Sequence, residues 1–410
     1  MASKFSALAT AAAAVVALVG CSSASTPSPG GTSAGAFTYA LITPGAAGDS
    51  GYIDSAIAGT ALAEKDLGVT GRVVEADSVS QQEGVIRSTV ATHPGIILAP
   101  GLDPESLLAV ARENPDQLFG VPSDISVDDL PANVEAYSIN VHESSYLGGF
   151  VAGRLSTTKK VAAVLGIDNP GLNQFYYGYK QGVLAACPDC TVTPSYLNGR
   201  FSDPSAGQEA ALSLYQAGND IVFAVAGLSG QGVFTAATQQ NKFAIGVDSN
   251  QDGDAEGTVI VSVMKRVDQT TYNLIERAQT GKFESGFVTA GLADGVSGLS
   301  WDAGSTVFAD NGPETLTRQI PDLASQVDET RKQILAGSIV VCDALGDPQQ
   351  RCVRCRRTRE LTSRSSTTWP RHRTHRPDCS YAGCVNTSRP RVCLQWTTFR
   401  LTSPPARWLH

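Results

Sequence analysis

The stretch that most limits what this chain can fold into runs from Asp220 to Arg266, DIVFAVAGLSGQGVFTAATQQNKFAIGVDSNQDGDAEGTVIVSVMKR. Its first apolar run, Ile221 to Ala226, has the length and branching of a buried parallel strand. Gly227 and the Gly230-Gln231-Gly232 triplet break that run, and an Ala/Thr/Gln-rich helical segment follows. A second apolar run, Phe243 to Val247, ends on Asp248, and a third, Thr258 to Met264, ends on Lys265. Strand, glycine turn, helix and strand make a βαβ unit, whose ligands gather at the carboxyl ends of its strands. The glycine turn, Asp248 and Lys265 all fall at such ends. The glycines match neither the dinucleotide nor the phosphate-loop signature, because the spacing differs and no Lys-Ser/Thr follows. Taken singly, turn glycines are structural and Asp248 could cap a loop. Together they place a bidentate acceptor beside backbone N–H groups that glycine leaves accessible, a set suited to sugar hydroxyls and a polar ring edge.

The same alternation extends through most of the chain. Strands are expected at Thr38–Ile42, Arg72–Ala76, Ile96–Ala99, Leu118–Pro122 and Glu135–Val141, with helices over 52–67, 80–91 and 103–113 between them. Gly68 suits the end of the first helix, and Asp103-Pro104-Glu105 opens the third with Asp as cap and Pro at the first helical position. His142 to Ser156 forms a helix whose Gly148, Gly149, Ala152 and Gly153 permit close packing. The pattern then restarts: strand Val161–Leu165, helix 173–186, strand Thr191–Leu197, helix 204–217, and the βαβ unit above. A helix over 267–281, a short strand near 286–290, a loop GLADGVSGLSW, a helix over 314–335 and a last strand Ile339–Val341 complete the body. Two βαβ runs in succession imply an α/β protein of two similar lobes, each a parallel sheet flanked by helices, without a detectable sequence repeat. The first lobe is mainly 37–141 and the second mainly 142–265, with later segments crossing back. Of 410 residues, 42% are apolar, enough to fill two such cores.

The two ends differ from the body. Lys4 followed by the apolar stretch Phe5 to Val19 reads as a signal peptide (1–20), too short for an ordinary membrane span. It closes in Leu18-Val19-Gly20-Cys21, which resembles the lipobox of bacterial lipoproteins, with Cys21 as the lipidated residue of the mature chain. Residues 22–36 then form a flexible Ser/Gly/Pro tether. The expected location is the extracytoplasmic face of the cell membrane, held by lipid. Residues 342–410 carry 13 Arg, no Lys and only 4 acidic residues, in a chain whose net charge is −8. That leaves the body strongly acidic, which argues against a nucleic-acid partner for it. The tail has six Cys and no hydrophobic period. Its Cys352, Cys355, His372, His375, Cys379 and Cys384 fit no standard zinc spacing, so it reads as a disordered cationic tail or an out-of-frame C-terminus.

Several segments of the body agree in order and spacing. Glu143 with Ser145-Tyr146-Leu147-Gly148-Gly149 and Ala152-Gly153 is one. Asp168-Asn169-Pro170 with Phe175, Gly178-Tyr179 and Gly182-Val183 is another. Ala226-Gly227 through Gly232-Val233-Phe234, Ile245-Gly246-Val247-Asp248, and Ser262-Val263-Met264-Lys265-Arg266-Val267 complete the set. Together they resemble the basic membrane protein family of bacterial lipoproteins, the nucleoside-binding components of ABC importers, over about Phe37 to Val341. The resemblance implies a type I periplasmic-binding fold that closes on its ligand between two lobes joined by hinge crossovers. It implies that Asp248 accepts ribose hydroxyls, that Lys265 supports that carboxylate or donates to the sugar, and that Phe175 and Tyr52 sandwich the base. It further implies that Gly227 lets backbone approach the ligand, that Asp124 bonds the base edge, and that Asp49 holds the family's acidic position ahead of Tyr52. Gly51 and Ile53 depart from the Ser and Asn usual there, which removes an amide from the base edge and leaves a sugar or other small polar solute as the alternative ligand. The implied partners are a nucleoside and a permease, with the protein acting as a monomer and no cofactor.

Cys187-Pro188-Asp189-Cys190 lies in a turn after a helix and reads as a structural disulfide or two free thiols, since a redox CxxC opens a helix. Asp252-Gly253-Asp254 near Asp248 lacks the full calcium-loop pattern and reads as a solvated loop, so no metal site is expected. The body has two histidines, His93 and His142, no Gly-x-Ser-x-Gly elbow, no His-Glu-x-x-His and no marked carboxylate pair, so no enzyme activity is expected.

Overall fold

The computed structural model describes residues 36–125 and 127–345; the expected signal peptide, Cys21, most of the tether and nearly all of the tail lie outside them. The first lobe is built from β1 (Thr38–Thr43), α1 (Tyr52–Leu67), β2 (Thr70–Glu75), α2 (Val79–Val90), β3 (Ile96–Leu98), α3 (Pro104–Glu113), β4 (Phe119–Val121) and β5 (Val134–Ile139). The second follows with α4 (Val141–Leu155), β6 (Lys160–Leu165), α5 (Pro170–Ala186), β7 (Thr191–Tyr196) and α6 (Pro204–Gln216). It continues through β8 (Ile221–Val225), α7 (Gly230–Gln239), β9 (Phe243–Asp248) and β10 (Val259–Lys265). The chain then returns through α8 (Val267–Gln279), β11 (Gly286–Ala290), β12 (Ser297–Leu299), α9 (Val307–Asn311), α10 (Glu314–Thr317) and α11 (Ile320–Leu335).

Two six-stranded sheets result, ordered β11-β5-β4-β3-β1-β2 and β12-β10-β9-β8-β6-β7. All pairs in the first are parallel, and in the second only β12 runs antiparallel, against β10. Central strands such as β3 (IIL) and β8 (IVFAV) are buried at every residue, because helices cover both faces of a parallel sheet. No residue of the outer strands β2 and β7 is fully buried, and β7 holds Pro194, which an edge strand tolerates. Helix starts follow the expected chemistry. The Asp103 carboxylate accepts from Ser106 N at 2.9 Å ahead of Pro104, and Asp203 accepts from Ala206 N at 3.0 Å ahead of Pro204, each satisfying an amide the helix leaves orphaned.

Close packing of α4 holds the second lobe together. A Cβ on Gly149 would sit 2.0 Å from the Tyr179 carbonyl oxygen and one on Gly182 only 1.9 Å from that of Tyr146. The backbones of α4 and α5 are therefore in contact, an approach that any side chain at these positions would prevent. Three crossovers join the lobes: Asn140 between β5 and α4, Arg266 between β10 and α8, and residues 291–296 between β11 and β12. α8 lands on α1 in the first lobe, and the Asp268 N–H donates to Ser55 Oγ at 2.9 Å.

Four expectations are corrected. The loop GLADGVSGLSW contains β12, whose Ser297–Leu299 pairs with Val263–Lys265; three residues are too few to show a period. The helix over 314–335 is two helices, α10 and α11, because Pro321 takes the first turn of α11 and cannot occupy a helix interior. Val141 begins α4 rather than ending β5. Ile339–Val341 is not a strand: this segment crosses α5, where Gln181 donates to Val340 O at 2.9 Å and accepts from Cys342 N at 2.9 Å.

Candidate ligand-binding site

The carboxyl ends of the two sheets meet across a cleft. Lys265, the last residue of β10, reaches from the second lobe to Asp124 just beyond β4 in the first, Nζ to Oδ2 2.7 Å. Ser249 Oγ donates to Gly51 O at 3.2 Å and Gln251 Nε2 to Ser50 O at 3.1 Å. These three bonds draw the turn after β9 and the end of β10 onto the first-lobe rim.

Asp248 ends β9 with φ of 64°, the left-handed conformation an aspartate tolerates at modest cost. It is 8% exposed, yet none of the described residues donates a hydrogen bond to its carboxylate. Burial pushes its pKa up to about 7; Lys265 pulls it back and Asp49 adds to the rise. A buried carboxylate without donors is costly in a folded protein. Such a group at a cleft wall is poised for a ligand that brings the donors.

Asp49 is used differently. It is buried, and its two oxygens accept from the N–H groups of Gly51 (2.9 Å), Ile53 (3.0 Å) and Asp54 (3.1 Å). Those amides are orphaned at the start of α1, so Asp49 acts as the cap that sets the helix entry. Asp124 is also occupied, accepting from Ile139 N at 2.9 Å through Oδ1 and holding Lys265 through Oδ2. Lys265 thus bonds Asp124 rather than Asp248, which it supports only through its field. Burial acts to lower the Lys265 pKa, but Asp124, Tyr52 and Asp248 outweigh it and the net shift is upward.

Tyr52 opens α1, and its hydroxyl bonds Ser123 Oγ. Burial pushes the phenol up to about 12. Its ring lies beside Gly101, just past β3, where an added Cβ would come 3.2 Å from Tyr52 Cε1. The Lys265 ammonium is 5.7 Å from the centre of the Tyr52 ring and 6.0 Å from that of Phe175, within cation–π range. Phe175 itself is 4% exposed and packs edge-on against Phe223 with ring centres 6.2 Å apart, so most of it belongs to the core. Gly227 follows β8 with φ of 54° in a short 3-10 turn. The cleft therefore gathers Tyr52, Asp124, Asp248 and Lys265, with Phe175 beneath Lys265 and Asp49 behind the rim.

Ser123, Ser249 and Gln251 are contributors that sequence reasoning missed. Their signal was position alone, each within three residues of a strand end. The solvated-loop reading of Asp252-Gly253-Asp254 holds only for its exposed second and third residues. Asp252 is fully buried and accepts from the hydroxyls of Ser262 and Ser300, each at 2.7 Å, and of Ser305 at 2.6 Å. A buried carboxylate needs such donors, and they come from segments distant in the chain. Cys187 and Cys190 are disulfide-bonded, with Cα atoms 5.3 Å apart. No group of three or more metal-ligating side chains occurs among the described residues, and none of their helices is long and apolar enough to cross a membrane.

Comparison with known proteins follows this geometry. A family model described as ABC transporter substrate-binding protein PnrA-like matches residues 36–340. Basic membrane protein D of Borreliella burgdorferi is 31% identical over 254 residues, 61% of this chain and 74% of that protein. Among solved structures, a solute-binding protein of an ABC transporter system from Aeropyrum pernix superposes with a TM-score of 0.68 at 26% identity, covering 80% of this chain and 98% of that one. One from Conexibacter woesei gives 0.60 at 26% identity, covering 75% and 99%. Two parallel-dominated sheets, three crossovers and polar side chains gathered at the facing strand ends are the architecture of a periplasmic-binding protein, and with these matches the chain belongs to the Bmp family of PnrA-like ABC transporter substrate-binding proteins.

Proposed function

We propose that this protein captures a nucleoside between its two lobes and delivers it to the permease of an ABC importer. Lipid on Cys21 holds it at the extracytoplasmic face of the cell membrane, and it works as a monomer. Its task is capture and not chemistry. The observation that carries the ligand class is the Asp248 carboxylate, almost wholly buried at a strand end and lacking any donor among the described residues. Vicinal ribose hydroxyls supply two donors to one carboxylate, in the bidentate geometry this group accepts best. Lys265 offsets part of the effect of burial on that carboxylate, and Tyr52 provides a flat apolar face held in place by Ser123. Family membership supports the substrate-binding part of this reading.

A sugar is the second reading, favoured by one observation. Ile53 stands where the resemblance leads one to expect an amide, so the first-lobe rim offers less to a base edge. Mass spectrometry of small molecules carried through purification of the full chain, followed by calorimetry with a nucleoside and monosaccharide panel, separates the two. Co-purified nucleoside with matching calorimetric binding supports the first; a monosaccharide alone replaces it with the second.

A further inference from the structure

Three residues beyond Asp248, the side chain of Gln251 is 2% exposed and has a partner at each end of its amide. Its Oε1 accepts from Val247 N at 2.8 Å, within its own lobe. Its Nε2 donates across the cleft to Ser50 O at 3.1 Å, a residue 201 positions away. Because the oxygen is committed to an N–H group, the nitrogen has to face the first lobe. One neutral amide therefore ties the end of β9 to the opposite rim.

Both attachment points are firmly held. In the second lobe Gln251 N donates to Ser262 Oγ on β10 at 3.0 Å, and Ser262 N in turn donates to Ser300 Oγ at 2.9 Å. The adjacent Asp252 gathers the hydroxyls of Ser262, Ser300 and Ser305, so the turn cannot shift without breaking a buried network. In the first lobe Ser50 has φ of 48°, a left-handed conformation that costs a serine energy and persists only where its surroundings enforce it. Asp54 enforces it, its carboxylate accepting from Gly48 N and Ser50 N at 2.8 Å each. The next residue, Gly51, accepts from Ser249 Oγ through its carbonyl. A Cβ there would lie 3.4 Å from Gln251 Nε2 and 3.8 Å from Asp248 Oδ2. The rim that Gln251 grips is thus the rim that lies over the ligand carboxylate. Neutral hydrogen bonds contribute modestly once exchange with water is counted, so bonds of this kind can hold two lobes shut and still let them part.

We propose that Gln251, seconded by Ser249, is a closure latch. It grips the backbone of Ser50 and Gly51 once ligand has entered, and it sets how long the ligand stays without touching it. The latch adds to the closed state's advantage over the open one, and a ligand that binds the closed state gains residence time from it. This inference rests on capture between two lobes and not on which solute is captured.

The test is surface plasmon resonance on the immobilised full chain and its Gln251→Met and Ser249→Ala variants, with adenosine, uridine, ribose and glucose as probes. Gln251→Met keeps the volume of the side chain and removes both arms, and it speeds dissociation about 5- to 30-fold. Ser249→Ala removes one bond between the lobes and leaves Val247 N paired, and it speeds dissociation about 2- to 10-fold with the unliganded melting temperature unchanged. Association stays within about twofold of the parent in both, because the latch forms after the ligand has entered. Should Gln251→Met fail to fold, Ser249→Ala decides alone. Dissociation within about twofold of the parent overturns the latch, and so does a loss confined to association, which marks damage to the open site. A parent that binds ribose or glucose but no nucleoside overturns the nucleoside reading, and the same rate pattern on that sugar upholds the latch. A parent that binds none of the four overturns both.

Discussion

On the first-lobe wall of the cleft Asp49 gives its carboxylate to three backbone N–H groups, whereas on the opposing wall Asp248 is nearly as buried and accepts from none of the described residues. The two are close enough that Asp49 raises the Asp248 pKa. The contrast shows how one residue type serves two ends. A carboxylate whose donors come from the chain stabilises a fold, and one whose donors are withheld destabilises it until a ligand supplies them. The first lobe invests in a fixed rim, and the second keeps its acceptor open.

The largest effect that would break this contrast comes from Asp248→Ala. It removes two charge-assisted hydrogen bonds to the ligand, about 3–6 kcal/mol or at least 100-fold in affinity, measured by calorimetry. Asp248→Asn sharpens the point on the stability side. A carboxyl whose pKa rises from 3.8 to about 7 on folding binds more protons folded than unfolded in that range. Its contribution is therefore lost as pH rises from about 4 to 7. The unliganded Asn variant gains at most about 4 kcal/mol at pH 8, seen as a raised melting temperature, while ligand binding collapses. Unchanged affinity with lowered stability would make Asp248 a second Asp49.

Lys265→Met comes next. Asp124 then loses its partner in a site where the two side chains are only 10% and 15% exposed, and leaving one charge of a buried pair unmatched costs about 3–5 kcal/mol. Denaturant unfolding reads that loss. Asp49→Ala costs about 1–2 kcal/mol as a lost helix cap, and Asp49→Asn, which keeps an oxygen in place of the Oδ1 that Gly51 and Asp54 share, restores part of it. Affinity in the Asn variant stays near that of the parent, which separates capping from ligand contact. The pH dependence tests the same carboxylate. Because the ligand's hydroxyls favour the ionised form of Asp248, affinity in the parent falls about tenfold per unit below pH 7, and calorimetric titrations at pH 7, 6 and 5 measure that slope; a flat profile contradicts it.

The two lobes were legible because parallel strands buried on both faces read as short apolar runs, and Asp248 and Lys265 stand out as polar residues that terminate such runs. β12 was not legible, since three residues paired by tertiary contact carry no period of their own. The break before α11 carries a local sign in Pro321, which the helical period on either side of it masks. Asp49 looked like a ligand residue because an acid ahead of a helix is equally a cap or a site, and only the N–H groups around it decide. Lys265 and Asp124 are 141 positions apart, and no local pattern foretells a bridge between lobes.

The most direct test of the open acceptor is a calorimetric comparison of one nucleoside with its 2′,3′-dideoxy analogue on the full chain and on Asp248→Ala. The account predicts that the parent binds the nucleoside at least 100-fold more tightly than the analogue and that the variant no longer distinguishes them. Equal affinity of the parent for both, or discrimination that survives in Asp248→Ala, would show that the buried carboxylate is not what holds the sugar.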